Sequence, residues 1–201
     1  MWTRKGRSIA WLAAAVVPGL VAWRANDTTL RLQPDSRLWV SGTSTVRSFE
    51  CGATGFEVAV DAAEPTPVAA VLAGEKAVTS VRLRVGATQL DCRNDKMNEH
   101  MLKALKAKEF ADITFALETY SLARAADGAS VSLQGNLTLG GVTRPISMTA
   151  TVTPAAEGAL KVAGMYPLKM TEFGLQPPKL MLGALKVNEL VSVNFDLLLK
   201  P

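Results

Sequence analysis

The sequence predicts a mainly β domain that contains eight or more antiparallel strands and one short helix. Three observations lead to this prediction. Apolar residues alternate with polar ones along most of the chain after residue 27, residues 135–148 carry the signature of a β-hairpin, and one segment changes from the strand period to the helical period. Strands that each have one apolar face fit either a closed barrel or a sandwich of two sheets.

The N-terminal 25 residues differ in composition from the rest of the chain and have the pattern of a secretory leader. Three basic residues lie among the first seven, an unbroken apolar run follows at 9–17, and Pro18 and Gly19 then interrupt this run. An uncleaved membrane anchor is the alternative, but a spanning helix needs about 20 apolar residues and this run is shorter. The pattern therefore predicts a periplasmic or secreted protein.

We expect the leader to be removed after Ala22, so that residues 1–22 form the signal peptide and the domain occupies residues 36–199. Cleavage after Ala25 is the competing option. Three of the 22 Lys and Arg residues lie before residue 23, where there is no acidic residue, and the remaining basic residues nearly balance the 18 acidic ones. This balance gives no indication of a nucleic-acid partner.

Eight runs of alternating residues are the candidate strands, and the apolar members of each run are expected to face the interior. In chain order they are Leu38, Val40 and Gly42; Phe56, Val58 and Val60; Val81, Leu83, Val85 and Ala87; Ile113, Phe115 and Leu117; Val131, Leu133, Leu137 and Leu139; Ile146, Met148, Ala150 and Val152; Leu160, Val162, Gly164, Tyr166, Leu168 and Met170; and Val191, Val193, Phe195, Leu197 and Leu199. Arg82 and Arg84 alternate with the third run and are expected on the solvent side.

The hairpin signature is the stretch 135–148, which reads GNLTLGGVTRPISM. Leu137 and Leu139 alternate with polar residues, and Gly140 and Gly141 supply the positive φ angles that a two-residue turn requires. Alternation then resumes on the far side of the turn. The stretch therefore predicts two neighbouring antiparallel strands joined by a tight connection.

The segment from Asp95 to Lys108 has its apolar residues at helical spacing. Asn94 or Asp95 can cap its start, and lysines near its end suit the negative pole of the helix dipole. We therefore predict a lone helix here. The segment 65–76 is mixed in character and is compatible with a loop or a short helical turn, and Pro177–Pro178 marks an irregular connection.

Cys51 and Cys92 are the two cysteines of the chain. Behind a secretory leader, an even number of cysteines indicates a disulfide first. It would tie the start of the predicted helix to the mouth of the barrel. Two alternatives stay open, namely a pair of buried free thiols, or a metal site built from His100, Cys92 and Asp91. No C-x-x-C spacing occurs, so thioredoxin-like exchange has no basis in the sequence.

The sequence offers little support for an enzyme. His100 is the single histidine, so any Ser-His-Asp or Cys-His arrangement would have to include it. Its place on a polar-faced helix predicts that it is exposed. Gly140 and Gly141 precede a strand, whereas a phosphate-binding loop opens a helix. We therefore expect no catalytic residue and no bound metal.

The predicted interior carries large, flexible apolar side chains. An eight-stranded barrel is just wide enough to be filled by such side chains or to hold one elongated apolar ligand. Apolar residues alternate in the same way in a packed and in a hollow barrel, so the sequence does not distinguish the two. The candidate cavity-lining residues are Leu83, Val85, Met101, Leu105, Phe115, Leu117, Met148, Tyr166 and Phe195.

Several stretches resemble, in order, the motifs of the YceI-like family of small periplasmic lipid-binding barrels. They are LWVSGTSTVRSFEC at 38–51, NEHMLKALKAKEFADITF at 98–115, GNLTLGGVTRPISM at 135–148, MTEFGL at 170–175 and LKVNELVSVNFDLLL at 185–199. The resemblance covers residues 36 to 199. The chain departs from the family in lacking the histidine-bearing opening of many members, and its cysteine pair is not a general family feature.

The resemblance implies a single antiparallel, eight-stranded, lipocalin-like barrel in the periplasm, capped by one short helix. Because family members can hold a polyisoprenoid chain, it also implies a non-enzymatic binder or carrier of an isoprenoid or other amphiphilic lipid, such as a quinone or polyprenyl lipid, with no other cofactor. The resemblance allows transient contact with the membrane or a membrane protein and does not determine the oligomeric state. The alternative is a packed barrel that serves as a structural or stress-related interaction domain without a ligand.

Overall fold

The structure is a computed structural model that describes residues 28–63, 66–180 and 185–201 of the 201-residue chain. The predicted leader, residues 1–22 or up to Ala25, lies outside the described residues. Within those described ranges, no helix has both the length and the apolar character needed to cross a membrane.

Strands account for most of the described chain, as the alternation predicts. In order, the elements are β1 (Thr28–Leu32), β2 (Arg37–Thr43), β3 (Ser48–Ala53), β4 (Glu57–Ala62), α1 (Pro67–Leu72), β5 (Val78–Gly86), β6 (Leu90–Asp91), α2 (Asp95–Ala104), β7 (Asp112–Ala125), β8 (Gly128–Leu139), β9 (Val142–Pro154), β10 (Leu160–Lys169), β11 (Lys179–Leu180), β12 (Leu185–Lys186) and β13 (Leu190–Lys200). In the part of the chain described, the short strands β11 and β12 form a separate two-stranded sheet.

Eight of these strands close into an antiparallel barrel, which excludes the sandwich alternative. Their order around the barrel is β1, β4, β5, β7, β8, β9, β10 and β13. The ring closes because β13 also pairs with β1, with Arg31 opposite Lys200. β1 lies before the expected domain boundary at residue 36, so the barrel begins earlier in the chain than the sequence motifs indicate.

Three barrel strands are interrupted and continue as a second short strand. β2, β3 and β6 extend β1, β4 and β5 at the same end of the barrel, because β2 pairs with β13 and β3, and β3 pairs with β6. A 3-10 turn at Ala87–Gln89 makes the break between β5 and β6. These extensions lengthen the sheet at one end of the barrel, and α2 follows β6 at that end.

The predicted hairpin is present as β8 and β9, with Leu139 opposite Val142 across the turn. Gly140 and Gly141 have φ angles of 56° and 80°, as a type I′ connection requires. A Cβ added at Gly141 would lie 2.4 Å from the ring of Phe110. The turn therefore needs glycine both for its backbone conformation and for the close approach of a neighbouring side chain.

The two ends of the barrel are closed by different helices. α1, in the segment for which the sequence left a loop or a helical turn open, packs Val71 into a buried cluster with Leu30, Val60 and Leu160. α2 is the predicted helix, and its cap is Asn94, whose side chain accepts a hydrogen bond from the backbone N–H of Met97 at 3.0 Å. α1 thus covers one end of the barrel, while α2 covers the end extended by the short strands.

Candidate functional site

The barrel encloses two apolar cavities of about 400 and 220 Å³. The larger lies beneath α2 and the strand extensions, and the smaller continues toward α1. Leu168 and Val193 line both cavities, so the two meet at these side chains. Each wall is almost wholly aliphatic and aromatic, which is the lining typical of sites for apolar ligands.

The structure places most of the predicted lining residues on these walls. Met101 and Leu105 of α2 line the larger cavity. Val85 lines neither, because it is buried in a cluster with Leu38 and Leu90. The smaller cavity is lined by the remaining six, which are Leu83, Phe115, Leu117, Met148, Tyr166 and Phe195. That any of these side chains touches a ligand stays a prediction.

The sequence did not predict much of the wall of the larger cavity. The 44–47 turn between β2 and β3, together with Pro178 and Val187 near the β11–β12 hairpin, forms part of its wall. These residues lie in connections, where no strand or helix period points to the interior. Val40 and Val193 also line it, and their place in alternating runs was the one signal that could have found part of this wall.

The side chains in the middle of the barrel face inward yet are not fully buried. Phe115, Met148 and Phe195 are each half-buried. At the α1 end, by contrast, Leu30 and Leu160 are only 1% and 2% exposed. A packed core would bury the central side chains to the same degree. The central side chains therefore border open space inside the barrel, and the smaller cavity extends from them to closely packed wall residues near α1.

Three phenylalanine rings lie against glycines on the barrel wall. The pairs are Gly42 with Phe49, Gly135 with Phe115 and Gly164 with Phe195. A Cβ added at Gly164 would stand only 2.5 Å from Cζ of Phe195, which is directly opposite in the neighbouring strand. Each ring thus occupies the space that a side chain would take at the glycine. The rings lie along the wall, which leaves the centre of the barrel free.

We expect Gly164→Val to push the Phe195 ring off the wall and into the smaller cavity. Binding of the apolar fluorescent probe N-phenyl-1-naphthylamine should weaken by about tenfold, and stability should fall by about 1–3 kcal/mol through overpacking. Gly52→Val is the matched control, because a Cβ at Gly52 meets no atom within 4 Å. Equal probe binding by the two variants would show that the ring does not move into the cavity.

α2 is tied to the barrel by a disulfide and a hydrogen-bond cluster. Cys51 of β3 is bonded to Cys92, which confirms the predicted disulfide and removes the free-thiol and metal alternatives for this pair. The Asn98 side chain of α2 accepts from the Cys92 backbone N–H at 2.8 Å and donates to Asp91 at 2.8 Å. The Asn98 amide and the Arg93 backbone N–H lower the pKa of Asp91, so the carboxylate stays ionised in this cluster.

The two tyrosines of the smaller cavity are neutral phenols. Burial raises the pKa of Tyr120 and of Tyr166 above the ordinary value. The Tyr120 hydroxyl accepts from the Val78 backbone N–H at 2.9 Å and donates to the Val78 carbonyl at 3.1 Å. Its polar atom is therefore satisfied by the wall and leaves an apolar surface toward the cavity.

Polar side chains gather where the larger cavity reaches the surface. Ser44 and Arg47 of the β2–β3 turn and His100 of α2 all line it there, beside Val46, which is 70% exposed. The prediction that His100 is exposed is wrong. α2 lies across the mouth of the barrel, so the helix face that carries His100 turns toward the cavity and the side chain is half-buried.

The described ranges contain no group of three His, Cys, Asp or Glu side chains arranged to hold a metal ion. In the same ranges no polar or charged residue is buried. The cavities offer instead apolar walls that end in a polar mouth.

Comparison with known proteins agrees with this architecture. The model of the YceI-like domain matches residues 40–199. The crystal structure of BcnA from Burkholderia cenocepacia has a TM-score of 0.64 at 19% identity, covering 81% of this chain and 95% of that chain. No curated protein sequence matches the chain.

Two further solved structures share the fold. A polyisoprenoid binding domain from Saccharophagus degradans, implicated in plant cell wall breakdown, has a TM-score of 0.59 at 14% identity and covers 86% of this chain and 97% of that one. The YCEI protein of Campylobacter jejuni has a TM-score of 0.55 at 16% identity, with 75% and 84% covered. At these identities the structures bear on the fold alone. Because the domain model spans most of the described barrel, the chain belongs to the YceI-like family.

Proposed function

We propose that this protein binds, without catalysis, the apolar chain of an isoprenoid or similar amphiphile, such as a quinone or polyprenyl lipid, and carries it in the periplasm. The observation that carries the proposal is the pair of apolar cavities that meet at Leu168 and Val193. Together they form an elongated space with apolar walls, and each wall residue that a chain covers contributes hydrophobic free energy.

The family membership supports a binding role. One structural relative is described as a polyisoprenoid binding domain, and the structural match covers nearly the whole length of that domain. The disulfide suits an oxidising compartment, which is consistent with export behind the predicted leader. Binding of this kind needs no catalytic step.

The direct test is to purify the exported protein from its native periplasm and identify bound lipids by organic extraction and mass spectrometry. We expect one apolar chain per protein molecule. Stripped protein should bind an added prenyl alcohol. A protein that is recovered without lipid and takes up none of the isoprenoids offered would leave the ligand-free structural or interaction domain as its function.

We expect Met148→Trp to abolish lipid retention while the barrel stays folded. Met148 is half-buried and lines the smaller cavity, so the added indole occupies space that the ligand would use. The overpacking cost should stay within about 1–3 kcal/mol. Bound lipid and thermal stability are measured on the same sample.

The control is Thr149→Trp, which adds the same ring at the next position of β9, where the side chain is exposed. It should keep its lipid. If Met148→Trp unfolds the protein while the wild type carries no lipid, the interior is packed in solution and the proposal fails. If both variants retain lipid to the same extent, the ligand does not occupy the smaller cavity.

A further inference from the structure

The walls of the two cavities can hold a chain, but they cannot recognise a headgroup. Among the described residues, the polar side chains that line them fall into two sets. Tyr120 and Tyr166, which are neutral phenols, line the smaller cavity, and Ser44, Arg47 and His100 line the mouth of the larger one. At the mouth, Arg47 contributes a full positive charge and His100 an imidazole. Discrimination by headgroup charge among amphiphiles with equal chains would therefore occur at the mouth.

Arg47 lies beside the face of α2 that carries His100. The Arg47 guanidinium lies 3.9 Å from the sulfur of Met97. Met97 and His100 are three residues apart on α2 and share one face of the helix. Both line the larger cavity, as does Arg47. The guanidinium and the imidazole thus face the same opening.

Both side chains have hydrogen-bond donors that no described protein acceptor uses. Within the described ranges, no carboxylate lies at ion-pair distance from Arg47, and no hydrogen bond engages the His100 ring. The nearby carboxylate of Glu50 pairs with Arg37 at 4.0 Å, and Asp91 is held by Asn98. The positive charge at the mouth is therefore not neutralised by the protein in the part of the chain described.

The turn that carries Arg47 is held independently of its side chain. The Ser44 hydroxyl donates to the Arg47 carbonyl at 2.9 Å and accepts from the Arg47 backbone N–H at 3.2 Å. The Ser44 N–H also donates to the Arg47 carbonyl at 2.8 Å. Ser44 is thus used to shape the turn, and the Arg47 guanidinium is left free above the cavity.

We propose that the mouth of the larger cavity selects amphiphiles with an oxyanion headgroup, a phosphate or a carboxylate, which Arg47 and His100 bind while the chain lies in the barrel. A guanidinium donates two parallel hydrogen bonds to such a group, and a neutral alcohol or carbonyl cannot use its charge. The inference rests on the proposed function, because the headgroup is held only by an amphiphile whose chain the cavities accept.

The test compares three ligands with the same chain: geranylgeranyl phosphate, geranylgeranoic acid and geranylgeraniol. Affinities are measured by calorimetry on lipid-free protein. We expect wild-type protein to bind one or both oxyanions about tenfold to a hundredfold more tightly than the alcohol. The phosphate and acid arms distinguish the two headgroups.

Arg47→Gln should remove most of this preference and leave the affinity for geranylgeraniol within about twofold. His100→Gln should reduce the preference to a smaller degree. Arg124→Gln is the matched control, because Arg124 is also exposed but lies on β7 beside Gly74, near α1 at the opposite end of the barrel. It should behave as wild type.

Equal binding of all three ligands by the wild type would overturn the headgroup inference and leave the chain-binding proposal intact. So would an Arg47→Gln protein that keeps the full preference for the oxyanions. Failure of the wild type to bind any of the three would overturn the proposed function itself, and the inference with it.

Discussion

Val193→Trp should cut the affinity for a long prenyl alcohol such as solanesol by more than about a hundredfold. Val193 lines both cavities, so the indole would close the passage between them. A long chain would then lose its contacts in the smaller cavity. Each buried methylene contributes about 0.8 kcal/mol, so losing even four of them costs about 3 kcal/mol of binding.

The same variant should bind the short alcohol farnesol within about threefold of the wild type, because a short chain fits the larger cavity alone. Met165→Trp is the control, since Met165 is 50% exposed on the outer surface of β10. Calorimetry with both alcohols measures the effect, and circular dichroism checks that each variant is folded. A parallel loss of both alcohols would mean that the two cavities do not act as successive parts of one site.

The double substitution Cys51→Ala and Cys92→Ala should lower the free energy of unfolding by about 4 kcal/mol. The disulfide closes a loop with a sequence separation of 41 residues, and the chain-entropy model relates this length to the loss. Guanidinium chloride denaturation of the variant and of the wild type measures the difference.

Reduced wild-type protein provides the internal control and should match the double variant. α2 should also become more mobile at its start, because the change removes its covalent link to β3 and leaves the Asn98 hydrogen bonds to the Cys92 segment. Hydrogen exchange of the α2 amides reports this local effect. A loss of stability below about 1 kcal/mol would show that the unfolded chain is not appreciably restricted by the bond.

The strands could be predicted from the sequence because inward and outward positions alternate locally along each of them. β8 and β9 with their Gly140–Gly141 turn follow the pattern residue for residue. The helix at 95–104 and its Asn94 cap were predictable for the same reason. The breaks between β1 and β2 and between β5 and β6 could not be predicted, because such breaks depend on how strands from distant parts of the chain meet.

The smaller cavity was more predictable than the larger one. Phe115 and Phe195 lie in alternating strands, so their inward direction could be inferred, although the glycines that let their rings lie along the wall could not be matched to them from the sequence. Arg47 and Pro178 lie in connections without a period. His100 was placed on the wrong side because the orientation of α2 is decided by its contacts with the barrel mouth, not by its own polarity.

The polar mouth beside α2 would give a bound amphiphile one orientation. The larger cavity reaches solvent beside Val46, while the buried cluster around Val71 and Leu30 lies at the α1 end. A chain whose headgroup is held at the mouth would therefore enter tail first and leave head first through the α2 end. Its dissociation rate should fall with every carbon that has to be withdrawn. Transfer to an acceptor would then require the acceptor to approach the α2 end, where the headgroup emerges before the tail.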